Sequence, residues 1–152
     1  MNYQFELLAI TRQNILNELN DCTTDKLFEI PKGFNNHILW NAVHVIVTQQ
    51  LLVYGNTKTP FRIAPAIIED YRKGTTPTNE VKTEMVAFVK KELLGTVTML
   101  KEDYAQNSFG PYQQVTTSYN ATLSNVEEAI TFVNLHDSMH YGQIKMLKKL
   151  IQ

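Results

Sequence analysis

Apolar residues recur with the three- and four-residue spacing of amphipathic helices in four parts of the chain. These segments cover approximately residues 3–19, 35–54, 78–104 and 124–151, and stretches containing Pro and Gly separate them. The last segment opens with Ser124 and Glu127 at the spacing of a helix capping box. The pattern predicts an all-α protein, with a four-helix bundle as the leading architecture.

Polar residues interrupt the apolar stripes, including Glu92 in the third. Arg12 fills one step of the first stripe, which is otherwise Phe5, Leu8, Ile15 and Leu19. The second stripe is more regular, with residues at steps of three and four: His37, Trp40, His44, Val47, Leu51 and Tyr54. The fourth carries two polar residues among its apolar ones: Val126, Ile130, Val133, Asp137, His140, Ile144, Leu147 and Ile151.

The connections predict further local structure. Residues 55–77 contain Pro60, Pro65 and Pro77, which oppose a continuous helix, although 66–71 can form a short helical turn. A connection of this length is typical of a crossover or a lid. We expect Asn35 or Asn36 to cap the second helix and Thr78 the third. Residues 115–119 can pair briefly as a strand, and we expect Gly142 to allow close helix packing.

Composition narrows the classes of protein. A length of 152 residues suits a single domain over 1–152, and 14 basic against 15 acidic residues give a net charge of −1, which argues against a nucleic-acid binder. No apolar run approaches the ~18 residues of a membrane span, and the N-terminus lacks a signal-peptide layout. The single cysteine, Cys22, excludes an internal disulfide. We therefore expect a cytoplasmic protein without nucleic-acid or membrane partners.

Three of the four histidines lie on the two best stripes. His136 and His140 are one turn apart on one helix, and His44 lies on another. Neutral imidazoles are good ligands for divalent metals, and three protein ligands leave a coordination position for water or substrate. The alternative is a set of core histidines with ordinary hydrogen bonds. Burying three imidazoles without a shared purpose costs desolvation three times, which favours metal binding.

Other residues near these histidines have open roles. Asp137 either orients a ligand imidazole or forms an intrahelical or interhelical hydrogen bond. Gln143 either faces the same cavity or pairs with a neighbouring backbone. Trp40 is more typical of core than of a substrate pocket, and Tyr141 is a candidate for a pocket mouth. His37 lies about 10 Å along the axis from His44, so we interpret it as a capping or surface residue.

Two stretches resemble a known family. Residues 34–44, FNNHILWNAVH, resemble the second-helix signature of the DinB-like (DinB/YfiT) family, in which a Trp precedes a ligand His by one turn. Residues 136–144, HDSMHYGQI, resemble its fourth-helix signature, a His-x-x-x-His pair followed by Gly-Gln and an aliphatic residue. The length and the four-helix plan also match, so the resemblance covers essentially the whole chain.

The resemblance implies an antiparallel four-helix bundle with a long crossover between helices 2 and 3, in up-down-down-up order. It also implies one divalent metal ion, zinc or nickel, in a pocket at one end of the bundle. Carried over position by position, the ligands are His44, His136 and His140. Many relatives form homodimers through their helices. The crossover differs between subfamilies, so the resemblance does not identify a substrate.

Two hypotheses of different classes follow. In the first, the protein is a metal-dependent enzyme that activates water or a low-molecular-weight thiol, and is therefore a hydrolase or a thiol S-transferase acting on a small molecule. In the second, it is a non-catalytic metal- or ligand-binding dimeric bundle with a stress-related role. A purely structural bundle is a third reading. In each case the apolar stripes supply most of the burial, so we expect the fold to persist without metal.

Overall fold

A computed structural model describes residues 1–151. Within this range the protein is mostly helical, with one small antiparallel sheet that pairs β1, Val115–Thr116, with β2, Thr122–Leu123. The helices are α1 Asn2–Asn20, α2 Thr24–Leu27, α3 Ile38–Gln49, α4 Pro65–Tyr71, α5 Thr83–Ala105 and α6 Val126–Leu150. A wider π-helical turn, Gln50–Gly55, continues α3. The four predicted segments are therefore confirmed as the four long helices.

Two of these helices begin later than the sequence predicts, and His37 lies beside both predicted starts. His37, rather than Asn35 or Asn36, caps α3, since its Nδ1 accepts a hydrogen bond from the Trp40 backbone N–H at 3.0 Å. The backbone of Thr78 lies next to the same side chain, and the two residues line one cleft. Thr78 is thereby held against the start of α3 instead of capping α5, which begins at Thr83. The capping prediction for His37 is confirmed, and the residue is buried.

The start of α6 differs by one residue from the predicted box. Asn125 is the cap, and its Oδ1 accepts from the Glu128 backbone N–H at 2.8 Å. The Glu128 side chain in turn accepts from the Ser124 N–H at 2.7 Å. A pair of hydrogen bonds like those of a capping box is therefore present, but Asn125 and Glu128 form it instead of the predicted Ser124 and Glu127.

The long connection contains one helix, as predicted. Helix α4 has Pro65 at its first position, where a missing N–H costs nothing. It packs on α3 and ends at Tyr71, whose carbonyl oxygen points back into the bundle. The connection between α3 and α5 therefore does more than join two helices, since it places the Tyr71 carbonyl oxygen inside the bundle.

Contacts between side chains give the directions of the long helices. Helices α1 and α6 run the same way, because Arg12 meets Asp137 and, further along both helices, Glu18 meets Lys148. Helices α3 and α5 also run together, since Gln49 bonds the Thr96 carbonyl and Tyr54 bonds Asp103. Helices α1 and α5 run in opposite directions, with Arg12 meeting Thr96 and Phe5 meeting Tyr104. Helices α1 and α6 thus point one way along the bundle, and α3 and α5 point the other way.

A buried polar layer divides the core into two apolar clusters. Arg12, Gln49, Thr96 and Asp137 are fully buried, and each comes from a different long helix. On one side lie apolar residues such as Leu8, Val53, Leu100 and Ile130. On the other lie residues such as Ile15, Val43, Leu93 and Ile144.

Arg12 connects all four long helices through this layer. Its Nε donates to Asp137 Oδ2 at 2.8 Å, and its Nη1 donates to Thr96 Oγ1 at 2.7 Å. Its Nη1 and Nη2 also reach the backbone carbonyls of Leu93 and Val45, each at 3.3 Å. The polar step in the first stripe is thus a buried structural residue, and its partner Asp137 forms an interhelical ion pair.

Helix α3 and the π-helical turn that continues it together have the length and composition of a membrane-spanning helix. Ile38–Gly55 is an 18-residue window of mean hydropathy 1.2, which corrects the expectation that no apolar run approaches that length. In the fold, 78% of this window is buried. The core helix of a bundle passes the same test, so the segment is weak evidence for a membrane span.

Gly142 does not serve the packing role that the sequence suggests. Outside the backbone of its own helix and its chain neighbours, a Cβ added there meets no atom of the described residues within 4 Å, and Gly142 is exposed. The space that Gly142 leaves is therefore on the outer side of α6.

We predict that Arg12→Met lowers the free energy of unfolding by about 3–5 kcal/mol, because it leaves the Asp137 carboxylate buried and unpaired. Urea denaturation monitored by circular dichroism measures the loss. The double variant Arg12→Met/Asp137→Leu is the control and should lose less than Arg12→Met alone, since no charge remains in the core. An Arg12→Met variant within about 1 kcal/mol of wild type contradicts the prediction.

Candidate metal centre

Three histidines from two helices meet inside the bundle. His44 comes from α3, and His136 and His140 come from successive turns of α6. One ring nitrogen of each lies within 4.8 Å of the corresponding nitrogens of the other two. The ring centroids are 4.4 Å apart for His136 and His140, and 5.2 and 4.9 Å from His44 to these two. The antiparallel pairing of α3 and α6 therefore brings together the three predicted residues.

Oxygen acceptors hold two of the imidazoles in one tautomer. His44 Nδ1 lies 2.7 Å from the Tyr71 carbonyl oxygen, and His140 Nδ1 lies 2.8 Å from Asn41 Oδ1. Because a carbonyl oxygen only accepts, each Nδ1 carries the proton and donates it. The lone pair of each ring is then on Nε2. An oxygen acceptor on the far nitrogen is the usual arrangement for a metal-binding histidine.

Asn41 is itself held in place. Its Nδ2 donates to the His37 carbonyl at 2.9 Å and to Asn36 Oδ1 at 3.1 Å, which turns Oδ1 toward His140. The sequence interpretation missed this residue. The available signal was its position: Asn41 is an amide within the otherwise apolar run before His44.

His136 differs from the other two histidines in lacking a close acceptor. Its Nδ1 is buried and has no hydrogen-bond partner among residues 1–151, and the same is true of Asp137 Oδ1. These two atoms are 3.7 Å apart. Two buried polar atoms without hydrogen-bond partners therefore lie close together beside the cluster, which is unusual in a protein interior.

A hydroxyl group lies between two of the rings. Thr48 Oγ1 is 3.3 Å from His44 Nε2 and 3.5 Å from His136 Nε2. Thr48 is one turn after His44 on α3, and the spacing i, i+4 was the signal that could have identified it. The point where the imidazoles converge therefore also has a hydroxyl beside it.

Burial keeps the imidazoles of His44 and His140 neutral. Desolvation, with smaller contributions that include the nearby His136, lowers the pKa of His44 to about 4. Desolvation, followed by the neighbouring His136 and His44, lowers the pKa of His140 to about 2. Both side chains therefore present neutral imidazole at pH 7, the form that binds a cation.

A family comparison agrees with this geometry. A family model described as the DinB superfamily matches residues 7–144, a range that contains all three histidines. The chain belongs to the DinB superfamily. No curated protein and no solved structure matches the chain significantly.

The other candidate residues of this DinB-superfamily chain lie around the cluster at different distances. Trp40 stacks on His44, with ring centroids 4.6 Å apart, and its Nε1 donates to Thr75 Oγ1 at 3.1 Å. Gln143 lines a separate cleft of about 250 Å³ with residues that include Asn35 and Asn36. Tyr141 is half-buried beneath the Lys145 ammonium, which lies 5.4 Å from its ring centroid.

A second cleft adjoins the histidines on the Trp40 side. It has a volume of about 180 Å³, and its lining includes Trp40, His37, Tyr71 and Thr78. The Trp40 ring and the Tyr71 carbonyl both contact His44, so this cleft is one residue away from the cluster. His136 keeps 11% of its side chain exposed, which leaves solvent access to the cluster on that side.

We predict that Asn41→Leu lowers the affinity of the protein for zinc by about 10–100-fold, because His140 Nδ1 loses the acceptor that fixes its tautomer. Competition with a chromogenic chelator measures the affinity. Gln143→Leu is the matched control, since it makes the same change from amide to leucine in a separate cleft. Equal affinities for Asn41→Leu and wild type would show that this hydrogen bond does not support the site.

Proposed function

We propose that the protein binds one divalent metal ion, zinc or nickel, through His44, His136 and His140 and is a metal-dependent enzyme acting on a small molecule. The reaction class is hydrolysis or thiol S-transfer, in which water or a low-molecular-weight thiol is activated. The observation that carries the proposal is the convergence of three imidazoles, two of them fixed with their Nε2 lone pairs available.

The donor set favours a catalytic over a structural site. Among the described residues, the cluster holds these three histidines and no cysteine or carboxylate ligand. Structural zinc sites take four protein ligands, whereas three histidines leave a position open. When bound, the ion supplies Lewis-acid chemistry that lowers the pKa of a water or thiol to provide an anionic nucleophile at neutral pH.

The unpartnered atoms beside His136 also fit a metal ion. A cation on Nε2 of an imidazole requires the proton to be on Nδ1. For His136 that Nδ1–H would find Asp137 Oδ1, the unpartnered oxygen 3.7 Å away. Asp137 would then hold Arg12 with one oxygen and His136 with the other. Both roles considered for Asp137 from sequence would be filled by one side chain.

The remaining residues have roles that follow from their positions. Thr48 Oγ1 is close to two Nε2 atoms and is placed to accept or donate a hydrogen bond to a nucleophile at the point of convergence. Trp40 covers one face of His44 and excludes water there. The adjoining cleft of about 180 Å³ is lined by Trp40 and Tyr71, two residues that contact His44, and by none of the three histidines themselves.

A specific observation favours the second candidate function. His44 and His140 are only 6% and 5% exposed, so the cluster is more enclosed than an open active site. A non-catalytic metal- or ligand-binding protein with a stress-related role would have such an enclosed site. The two functions differ in whether a substrate reaches the cluster.

We predict that wild type binds one zinc or nickel ion per chain and that His140→Ala lowers the affinity by more than the about 100-fold that marks the upper end for losing a hydrogen-bond partner of a ligand, because it removes the ligand itself. Metal analysis after dialysis and titration calorimetry measure this. His37→Asn is the matched control, because it removes a histidine outside the cluster and asparagine can still cap α3. Equal metal content in wild type and His140→Ala refutes the metal site. Helical circular dichroism should survive chelation.

We predict that the metal-loaded protein turns over an electrophile or a hydrolysable ester in a screen with several low-molecular-weight thiols. Thr48→Val should keep the metal but lower turnover at least about tenfold, equivalent to one lost hydrogen bond of about 1.4 kcal/mol. Metal binding without turnover in any assay would favour the non-catalytic alternative. Turnover unchanged in Thr48→Val would remove the hydroxyl from the mechanism.

A further inference from the structure

His44 and His140 lie where a substrate of several atoms does not reach them unless part of the protein moves. The two residues are 6% and 5% exposed. Trp40 covers one face of the His44 ring, and the Tyr71 carbonyl occupies its Nδ1. His136 has only 11% of its side chain exposed, so the opening on its side is narrow. If the cluster acts on a substrate, one of the covering residues must therefore move.

Trp40 separates the His44 ring from the neighbouring cleft of about 180 Å³. Its indole ring is stacked on the imidazole, with an angle of 11° between the two planes, and the residue also lines the cleft. None of the three clustered histidines is part of that lining. A movement of the Trp40 side chain would therefore join the cleft to the cluster.

Residues 72–82, the segment between α4 and α5, hold Trp40 in this position, and we call them the strap. The indole Nε1 donates to Thr75 Oγ1 at 3.1 Å, and this hydroxyl donates to the Arg72 carbonyl at 2.9 Å. One wall of the cleft also comes from the strap and consists of Thr76, Pro77, Thr78, Glu80 and Lys82. The strap thus bounds the cleft and fastens the aromatic residue behind it.

The strap has few other attachments. It contains no helix or strand, and most of its residues are exposed. Among residues 1–151, the one backbone-to-backbone hydrogen bond within it joins the Thr75 N–H to the Arg72 carbonyl at 3.2 Å. Gly74, at the bend that follows α4, has a φ of +92°, which glycine adopts without strain. Segments with few buried contacts and few hydrogen bonds open at low cost in free energy.

We propose that the strap is a gate for the histidine cluster and that the hydrogen bond between Trp40 and Thr75 is its latch. The movement begins after Tyr71, whose carbonyl stays on His44, and ends where α5 begins at Thr83. When the strap lifts, the indole loses its acceptor and rotates off the imidazole, which makes the cleft continuous with the cluster. The gate rests on the proposed function, because only a cluster that acts on a substrate needs one.

Acylation of histidine by diethyl pyrocarbonate tests the gate in the metal-free protein, and peptide mass spectrometry locates the modified residue. We expect His44 to react about fivefold faster in Thr75→Val than in wild type, because the loss of one typical hydrogen bond enlarges the open population about fivefold. Thr75→Ser keeps the hydroxyl and should react at the wild-type rate. Thr98→Val is the matched control, since it makes the same change at an exposed residue of α5.

Three outcomes overturn the gate. The first is an equal rate at His44 in wild type and Thr75→Val. The second is acylation that begins at His136 at the same rate in both proteins, since the reagent then enters from that side. The third is an equal rise at His44 and at Cys22, measured with a thiol reagent, because Cys22 lies in a separate cleft and reports loosening of the whole fold.

The experiment separates the gate from the metal site. It uses no metal, so its result does not depend on whether the histidines bind an ion. Metal analysis of His140→Ala decides the proposed function, and the rate at His44 decides the gate.

Discussion

The buried Arg12–Asp137 ion pair is the interaction on which the rest of the structure depends. A fully buried guanidinium must have its donors satisfied, and Arg12 finds its acceptors on three other helices. Each helix must therefore present its acceptor at one height along the bundle. This requirement fixes the register of the four helices more strictly than apolar contacts do, because apolar contacts tolerate small shifts.

The positions of the three histidines depend on the buried polar layer around Arg12. His136 is adjacent in sequence to Asp137, and His44 precedes Val45, whose carbonyl accepts from Arg12. A shift of either helix by one turn would move its histidines by about 5 Å, more than the distance that separates their ligand atoms. The ion pair and the three imidazoles are therefore consecutive parts of one polar region in an otherwise apolar interior.

The features that depend on the local spacing of apolar residues could be predicted from the sequence. The four helices follow from their stripes, and the grouping of His44, His136 and His140 follows from two stripes that face each other. The start of α5 did not follow, because the contact between His37 and Thr78 joins residues about forty positions apart. The partner of Arg12 and the role of Asn41 were hidden for the same reason, since tertiary contacts decide which polar residue meets which.

His44 and His140 differ in the kind of acceptor that fixes their tautomers. His140 relies on the side chain of Asn41, so only a residue with an oxygen in that place can substitute. His44 relies on the main-chain carbonyl of residue 71, which every amino acid possesses. Sequence drift in α4 can thus proceed without disturbing His44, provided the path of the backbone is kept. The support of His44 tolerates substitution at residue 71, whereas the support of His140 requires a particular side chain at residue 41. The sequence of the crossover can therefore change while the geometry of the three histidines stays the same.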